Sequence, residues 1–313
     1  MHWIRTAPFR LALGVIAGAV LALLALDLAA TYPRSLGRTG ADLSLPEVSG
    51  DRAPTVSFVE TGRAQVPAHR LAQGVGMRER EVIFRAAVVE HPQGAFAFGS
   101  GVAPGASDDA LPFNVSNPFG RIEEGASLRD QLGDDVDLWR IVFPTLRWYH
   151  LGGATELPDV QTRAGRGDRW AAISGPWPRR YAYDSALAES LAPRGMRFEG
   201  PRYLGSRGSL DVFGDGSVVL LEYRGVSAAE IACLVSFPSG RRVLLVGDAV
   251  WLHEQVERGL PRTPWATWSL ERNRFQAAYV IRVLQRAQSS FGVEVVPLLD
   301  GALELPLFPE RWE

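Results

Sequence analysis

The sequence contains no lysine at all, a single cysteine and only five histidines. Without lysine there is no Schiff-base chemistry and no lysine general base. Every basic residue is an arginine, a bias read as genome composition rather than function. Cys233 sits inside the apolar stretch IACLVSF, so the chain forms no internal disulfide, and the thiol is expected to pack rather than to react. A basic excess is also missing. The formal net charge of -2 excludes the electrostatic footprint of a nucleic-acid binder. No GxSxG elbow accompanies His150, so a serine-histidine-aspartate triad cannot be argued.

What is present is a chain of 313 residues that is 46% hydrophobic, enough to fill the core of one large or two small domains. Its clearest local signal is LALGVIAGAVLALLALDLAA, preceded by Arg5 and Arg10 and carrying Asp27 as its only charge. The run is about the length needed to cross a bilayer. Leu28-Ala29-Ala30 makes a poor cleavage site, which favours an uncleaved anchor over a signal peptide. Arginines ahead of the run predict a cytoplasmic N-terminus. The expected arrangement is a single-pass segment over residues 1–31 in the inner membrane, a Gly-, Ser- and Pro-rich linker over 32–54, and an exported, periplasmic body over 55–313.

The body reads as mixed strands and helices, and therefore α/β. TVSFVE and VIFRAAVVEHPQGAFAFGSG look like strands, and His91-Pro92-Gln93-Gly94 has the residue preferences of a tight turn, so a hairpin is predicted there. Phe237-Pro238-Ser239-Gly240 predicts a second one, in the other half of the body. Ser127 is placed to cap SLRDQL, with Asp130 three residues on. In SLERNRFQAAYVIRVLQRAQSSFG, the spacing of Ala277, Val280, Ile281, Leu284 and Ala287 predicts a long helix capped by Ser269 and ended by Gly292. VEVVPLL reads as the last strand.

The order of HPQGAFAFGSG, a helix, LWRIVFPTLRWYHLGGATELPDV, LDVFGDGSVVLLEYRG, FPSGRRVLLVGDAVW, a long helix and VEVVPLLDG resembles the metallo-β-lactamase fold. More narrowly it is similar to the branch that includes the N-acyl-homoserine lactonases. The resemblance covers about Thr55 to Asp300. It implies a four-layer αββα sandwich with a two-zinc site at one edge, built from an HxHxDH motif, a later histidine, a bridging aspartate and a last histidine. On the motif, Thr145 stands for the first histidine, Arg147 for the second, Tyr149 for the aspartate, and His150 keeps the third. Val226 stands for the later histidine, Asp248 keeps the bridging aspartate, and Leu299, followed by Asp300, stands for the last. The supporting aspartate-threonine-glycine turn corresponds to Gly99-Ser100-Gly101. The remaining histidines, His2, His69, His91 and His253, are expected at the surface and have no metal-ligand spacing to His150.

Asp248 without a metal would be a costly uncompensated charge in a cleft. Arg147 is expected to take the metal's place, with Tyr149 and His150 adding hydrogen bonds. The alternative leaves Arg147 in solvent and Asp248 protonated or hydrated. Trp148, Trp170 and Trp177 either line a groove for an apolar ligand or pack over an irregular loop.

Two functions stay open. One is a membrane-anchored protein with a degenerate zinc site, with no cofactor, that binds a small-molecule or protein ligand without hydrolysis; a scaffold role belongs beside it. The other is a lactonase- or esterase-like hydrolase with a single metal, zinc, on His150 and Asp248, or an acid/base pair drawn from Tyr149, His150 and Asp248.

Overall fold

The computed structural model describes residues 14–19, 21–22, 43–49, 53–103, 117–174 and 185–313. The chain divides into two compact units, Met1–Arg38 and Thr39–Glu313. In the first, residues 14–19 and 21–22 are helical and exposed. The rest of the expected membrane segment, like Trp177, lies outside the described residues. Among the described residues, no helix is long and apolar enough to cross a membrane.

The second unit is built on two sheets. In chain order, β1 (Thr55–Pro67), β2 (Glu79–His91), β3 (Gly94–Phe98), β4 (Glu123–Glu124), β5 (Leu138–Val142), β6 (Gln161–Gly165) and β7 (Arg194–Met196) form the first, in the spatial order β4-β1-β2-β3-β5-β6-β7. β8 (Ser209–Asp211), β9 (Val218–Tyr223), β10 (Glu230–Ser236), β11 (Arg242–Val246) and β12 (Val293–Pro297) form the second, in the order β12-β11-β10-β9-β8. Both predicted hairpins are present, one in each sheet: β2 pairs antiparallel with β3, and β10 with β11.

Burial explains why β2 reads as an unbroken apolar run, since a strand covered on both faces needs no polar alternation. Ala86 and Val88 face one cluster, with Leu128, Leu132 and Ala172 from the covering helices. Ala87 and Val89 face the other, where Phe96, Phe98 and Val142 meet Leu220, Cys233 and Leu245 of the second sheet. On the far side of that sheet, Leu221, Leu234 and Leu244 pack against Val280, Ile281 and Leu284 of the helix Arg274–Phe291. The layers therefore run helix, sheet, sheet, helix. Cys233 is buried in the intersheet core, with its thiol pushed up by desolvation alone.

Ser127 caps the helix Leu128–Leu132 by accepting from the Asp130 amide at 3.1 Å. The long helix ends at Gly292 as expected, but it starts later than expected. Asn273, not Ser269, is its cap, accepting from the amides of Phe275 and Gln276, because the chain before it forms a separate helix, Pro264–Leu270, capped by Thr263. His91 is likewise not a surface residue. It is 7% exposed, stacked on Phe213 at 4.0 Å and 3.0 Å from Asp215 across the two sheets. Of the other two described histidines outside the motif, His69 is exposed and His253 half-buried. Residues 43–49, within the expected linker, lie along the second sheet. There Leu43 joins the helix-side core, and the Ser49 amide donates to the Asp215 carbonyl at 2.8 Å.

Candidate functional site

Two strand ends build the site. β5 delivers the chain into Phe143–Arg147 and the short helix Trp148–Leu151, while β11 delivers Gly247 and Asp248. The two segments press together because residue 247 has no side chain: a Cβ there would lie 2.4 Å from Pro144 and 3.2 Å from His150 Nε2. From below, the Ser100 amide and hydroxyl both donate to the His150 carbonyl, at 3.0 and 2.8 Å. Gly153 permits this contact, since a Cβ at that position would meet the Ser100 carbonyl oxygen at 2.2 Å.

Asp248 is the centre of what converges. Its Oδ1 accepts from the Tyr149 hydroxyl at 2.5 Å and from the Trp251 indole N–H at 3.0 Å, and its Oδ2 accepts from the Thr145 hydroxyl. Arg147 Nη1 stands 3.5 Å from Oδ1 and donates to the Tyr149 oxygen at 3.1 Å, while Nη2 donates to the Leu270 carbonyl at 2.9 Å. His150 Nε2 lies 3.5 Å from Oδ2, and neither ring nitrogen has a hydrogen-bond partner. Arg262 donates to the Asp248 carbonyl and, at 3.2 Å, to Glu271, with its guanidinium over the Trp251 ring. No part of the Asp248 side chain reaches solvent.

Electrostatics follow from this geometry. Burial opposes ionisation of Asp248, but the Arg147 charge, His150 and the Thr145 hydroxyl together hold its carboxyl well below the ordinary value. Burial pushes the Tyr149 hydroxyl far the other way, so it stays a donor. Nearby, Glu230 opens β10 with one carboxyl oxygen buried and without a partner. Burial first, and then the Asp248 charge, raise it to about 8. Asp168 accepts from the Ala228 and Ala229 amides at 2.7 and 2.8 Å, and burial raises it to about 6 against those bonds.

The structure thus brings Thr145, Arg147, Tyr149, His150 and Asp248 together. Leu299 is fully buried in an apolar cluster with Trp148, Tyr149 and Trp251. Trp148 therefore packs, while Trp170 is 55% exposed on the helix Arg166–Ser174. Val226 is buried, in the turn braced by Asp168, and its carbonyl accepts from the Arg272 amide. Asp300 points elsewhere, accepting from the amides of His253 and Ala302. Sequence reasoning missed Trp251, Arg262, Glu230, Asp168 and Glu271. Only Trp251 carried a signal, three residues after Asp248 in VGDAVW.

These residues do not suit a metal. Catalytic zinc takes three protein ligands and an open position. Here both oxygens of Asp248 already accept O–H or N–H donors, the guanidinium of Arg147 occupies the adjacent space, and among the residues at the motif positions that meet there His150 is the one other ligand-type side chain. Among the described residues, no group of three or more His, Cys, Asp or Glu is placed to hold a metal ion.

The fold is similar to that of solved lactonases and of a hydrolase in the beta lactamase superfamily. A mutant of AiiA from B. thuringiensis with N-decanoyl-L-homoserine bound at its active site superposes with a TM-score of 0.62 at 18% identity, over 85% of this chain and 100% of that one. A probable metal-dependent hydrolase from Staphylococcus aureus matches with a TM-score of 0.60 at 10% identity, over 81% of this chain and 91% of that one. AidC, a dizinc quorum-quenching lactonase, gives 0.56 at 10% identity, over 86% and 97%. No protein-family model and no curated protein matches the sequence.

Proposed function

We propose that this chain is a membrane-anchored, exported protein of the metallo-β-lactamase fold that binds a small-molecule or protein ligand without hydrolysing it, its metal centre having been replaced by a buried ion pair. The observation that carries the reading is Asp248: a carboxylate with no solvent exposure, three hydrogen-bond donors on it and Arg147 beside it. A nucleophilic water or a substrate oxygen needs an open coordination position, and here protein donors fill that space. The anchor and the periplasmic body rest on the apolar run after Arg5 and Arg10, the charge pattern that supports this orientation.

One observation favours a second reading. Both ring nitrogens of His150 lack hydrogen-bond partners, as they would if His150 held a single metal with Asp248 or exchanged protons with it. Hydrolysis separates the two. The full chain in neutral detergent, supplied with zinc, cobalt or manganese, is assayed on acyl-homoserine lactones and aryl esters beside Asp248→Asn. The first reading expects no turnover above that variant; metal-dependent turnover lost in both Asp248→Asn and His150→Ala would establish the second.

A further inference from the structure

Away from Asp248, three neighbouring strands bring three arginines to one face of the larger sheet: Arg140 of β5, Arg163 of β6 and Arg194 of β7. Val142 is opposite Arg163, and Arg163 is directly opposite Arg194. Side chains alternate along a strand. Val142 and Met196, two residues on from Arg140 and Arg194, point into the intersheet core, while Ala164, next to Arg163, packs on the other face. All three arginines therefore lie on the intersheet side, where the second sheet no longer covers it: Arg140 and Arg163 are half-buried, and Arg194 is exposed.

None of the three has a carboxylate partner among the described residues. Arg163 donates to the Gln161 side chain at 3.0 Å, and the Arg140 guanidinium is held 3.5 Å above the ring of Trp139, with its Nε buried and without a hydrogen-bond partner. Burial, and then the charge of Arg163, lowers the Arg140 pKa. Some arginines elsewhere in the fold are ion-paired, as in Arg80 with Glu254, Arg241 with Glu294 and Arg311 with Glu90. Like charges directly opposite on adjacent strands destabilise a sheet. The row keeps two of them opposite each other, with a neighbouring guanidinium oriented by an indole that is itself 41% exposed.

We propose that Arg140, Arg163 and Arg194, with Trp139 beside them, form a binding site for a phosphate-type oxyanion. Guanidinium groups bind phosphate oxygens in pairs of parallel N–H···O bonds, the chemistry this row offers. The site goes beyond the non-hydrolytic reading and stands whether or not that reading holds. The same chemistry fits a free phosphate anion or the phosphodiester of a lipid headgroup.

The test uses the full chain in neutral detergent, titrated with pyrophosphate and, in parallel, with short-chain phosphatidylglycerol, and read by tryptophan fluorescence and thermal shift. Binding of pyrophosphate assigns the free anion, and binding of the lipid alone assigns the headgroup. In either case the Arg140→Gln, Arg163→Gln, Arg194→Gln triple variant loses about tenfold or more in affinity, while the corresponding triple lysine variant, which keeps the charge but not the paired N–H donors, retains only part of it. Should the triple variant fail to fold, Arg194→Gln alone, on the exposed edge strand, weakens binding by about threefold and rising salt weakens it further. Binding of neither probe, or binding unchanged by the glutamine substitutions, overturns the proposal.

Discussion

The guanidinium of Arg147 stands 3.5 Å from the carboxylate of Asp248, and both side chains are closed to solvent, at 2% and 0% exposure. Neither charge can be removed alone without stranding the other. Breaking a buried pair by deleting one partner costs about 3–5 kcal/mol, whereas replacing both with groups of similar shape is often neutral. Arg147→Met is therefore expected to lower stability by about 3–5 kcal/mol in urea denaturation, and the double variant Arg147→Met, Asp248→Asn to recover a large part of that loss. Equal losses in the single and double variants would mean the two residues are not coupled.

Glu230 predicts a pH dependence of the opposite sign to that of an ordinary ion-paired acid. Its folded pKa, about 8, lies above the ordinary carboxylate value, so between those two pH values the folded state holds a proton that the unfolded state has released. Stability is then greatest at low pH and falls as pH rises toward 8, with a slope for this group of at most about 1.4 kcal/mol per pH unit. Asp168, at about 6, adds the same trend over the lower part of the range. In Glu230→Gln, the decline between pH 6 and 8 should largely disappear. Parallel stability curves for parent and variant would show that Glu230 ionises normally.

At the other end of the sandwich, Asp215 accepts from the Ser217 amide and hydroxyl and meets His91 at 3.0 Å. Burial raises its pKa, but the two Ser217 bonds and then His91 outweigh it, leaving the carboxyl below its ordinary value. A depressed acid stabilises the fold above its unfolded pKa, and that contribution is lost as pH falls through the folded value. Asp215→Asn should cost about 1–3 kcal/mol at neutral pH and progressively less under acid conditions. A pH-independent cost would assign the loss to shape rather than charge.

Gly247 is the point where β11 presses on the opposing loop, and no larger residue fits without displacing Pro144 or His150. Gly247→Ala should destabilise by about 1–3 kcal/mol through overpacking. It should also shift the near-ultraviolet signal of the aromatic residues packed there. A variant as stable as its parent, with unchanged spectra, would show that the two segments tolerate separation.

How much of this was legible in the sequence depended on the range of the interaction. Both hairpins were legible because a proline followed two residues later by glycine, between apolar runs, is a local instruction. The body of the helix Arg274–Phe291 was legible by its period, but its start was not, because Ser269 and Asn273 are both good caps. Only the seven-residue helix Pro264–Leu270, seen in three dimensions, decides between them. His91 looked like a polar turn residue, yet its partners Phe213 and Asp215 come from the other sheet. The motif loop and Asp248 were found through the resemblance. Trp251, Arg262, Glu230 and Asp168 converge on the same region from four separate segments, and no spacing in the sequence encodes that.

The most direct test is the metal content of the compact unit beginning at Thr39, purified without chelator from zinc-supplemented cells and measured by elemental analysis. With Arg147 in the metal's place, less than about one-tenth of an equivalent of any transition metal is expected. About one equivalent or more, lost when His150 or Asp248 is substituted, would contradict the account and make the protein a metal-dependent hydrolase candidate.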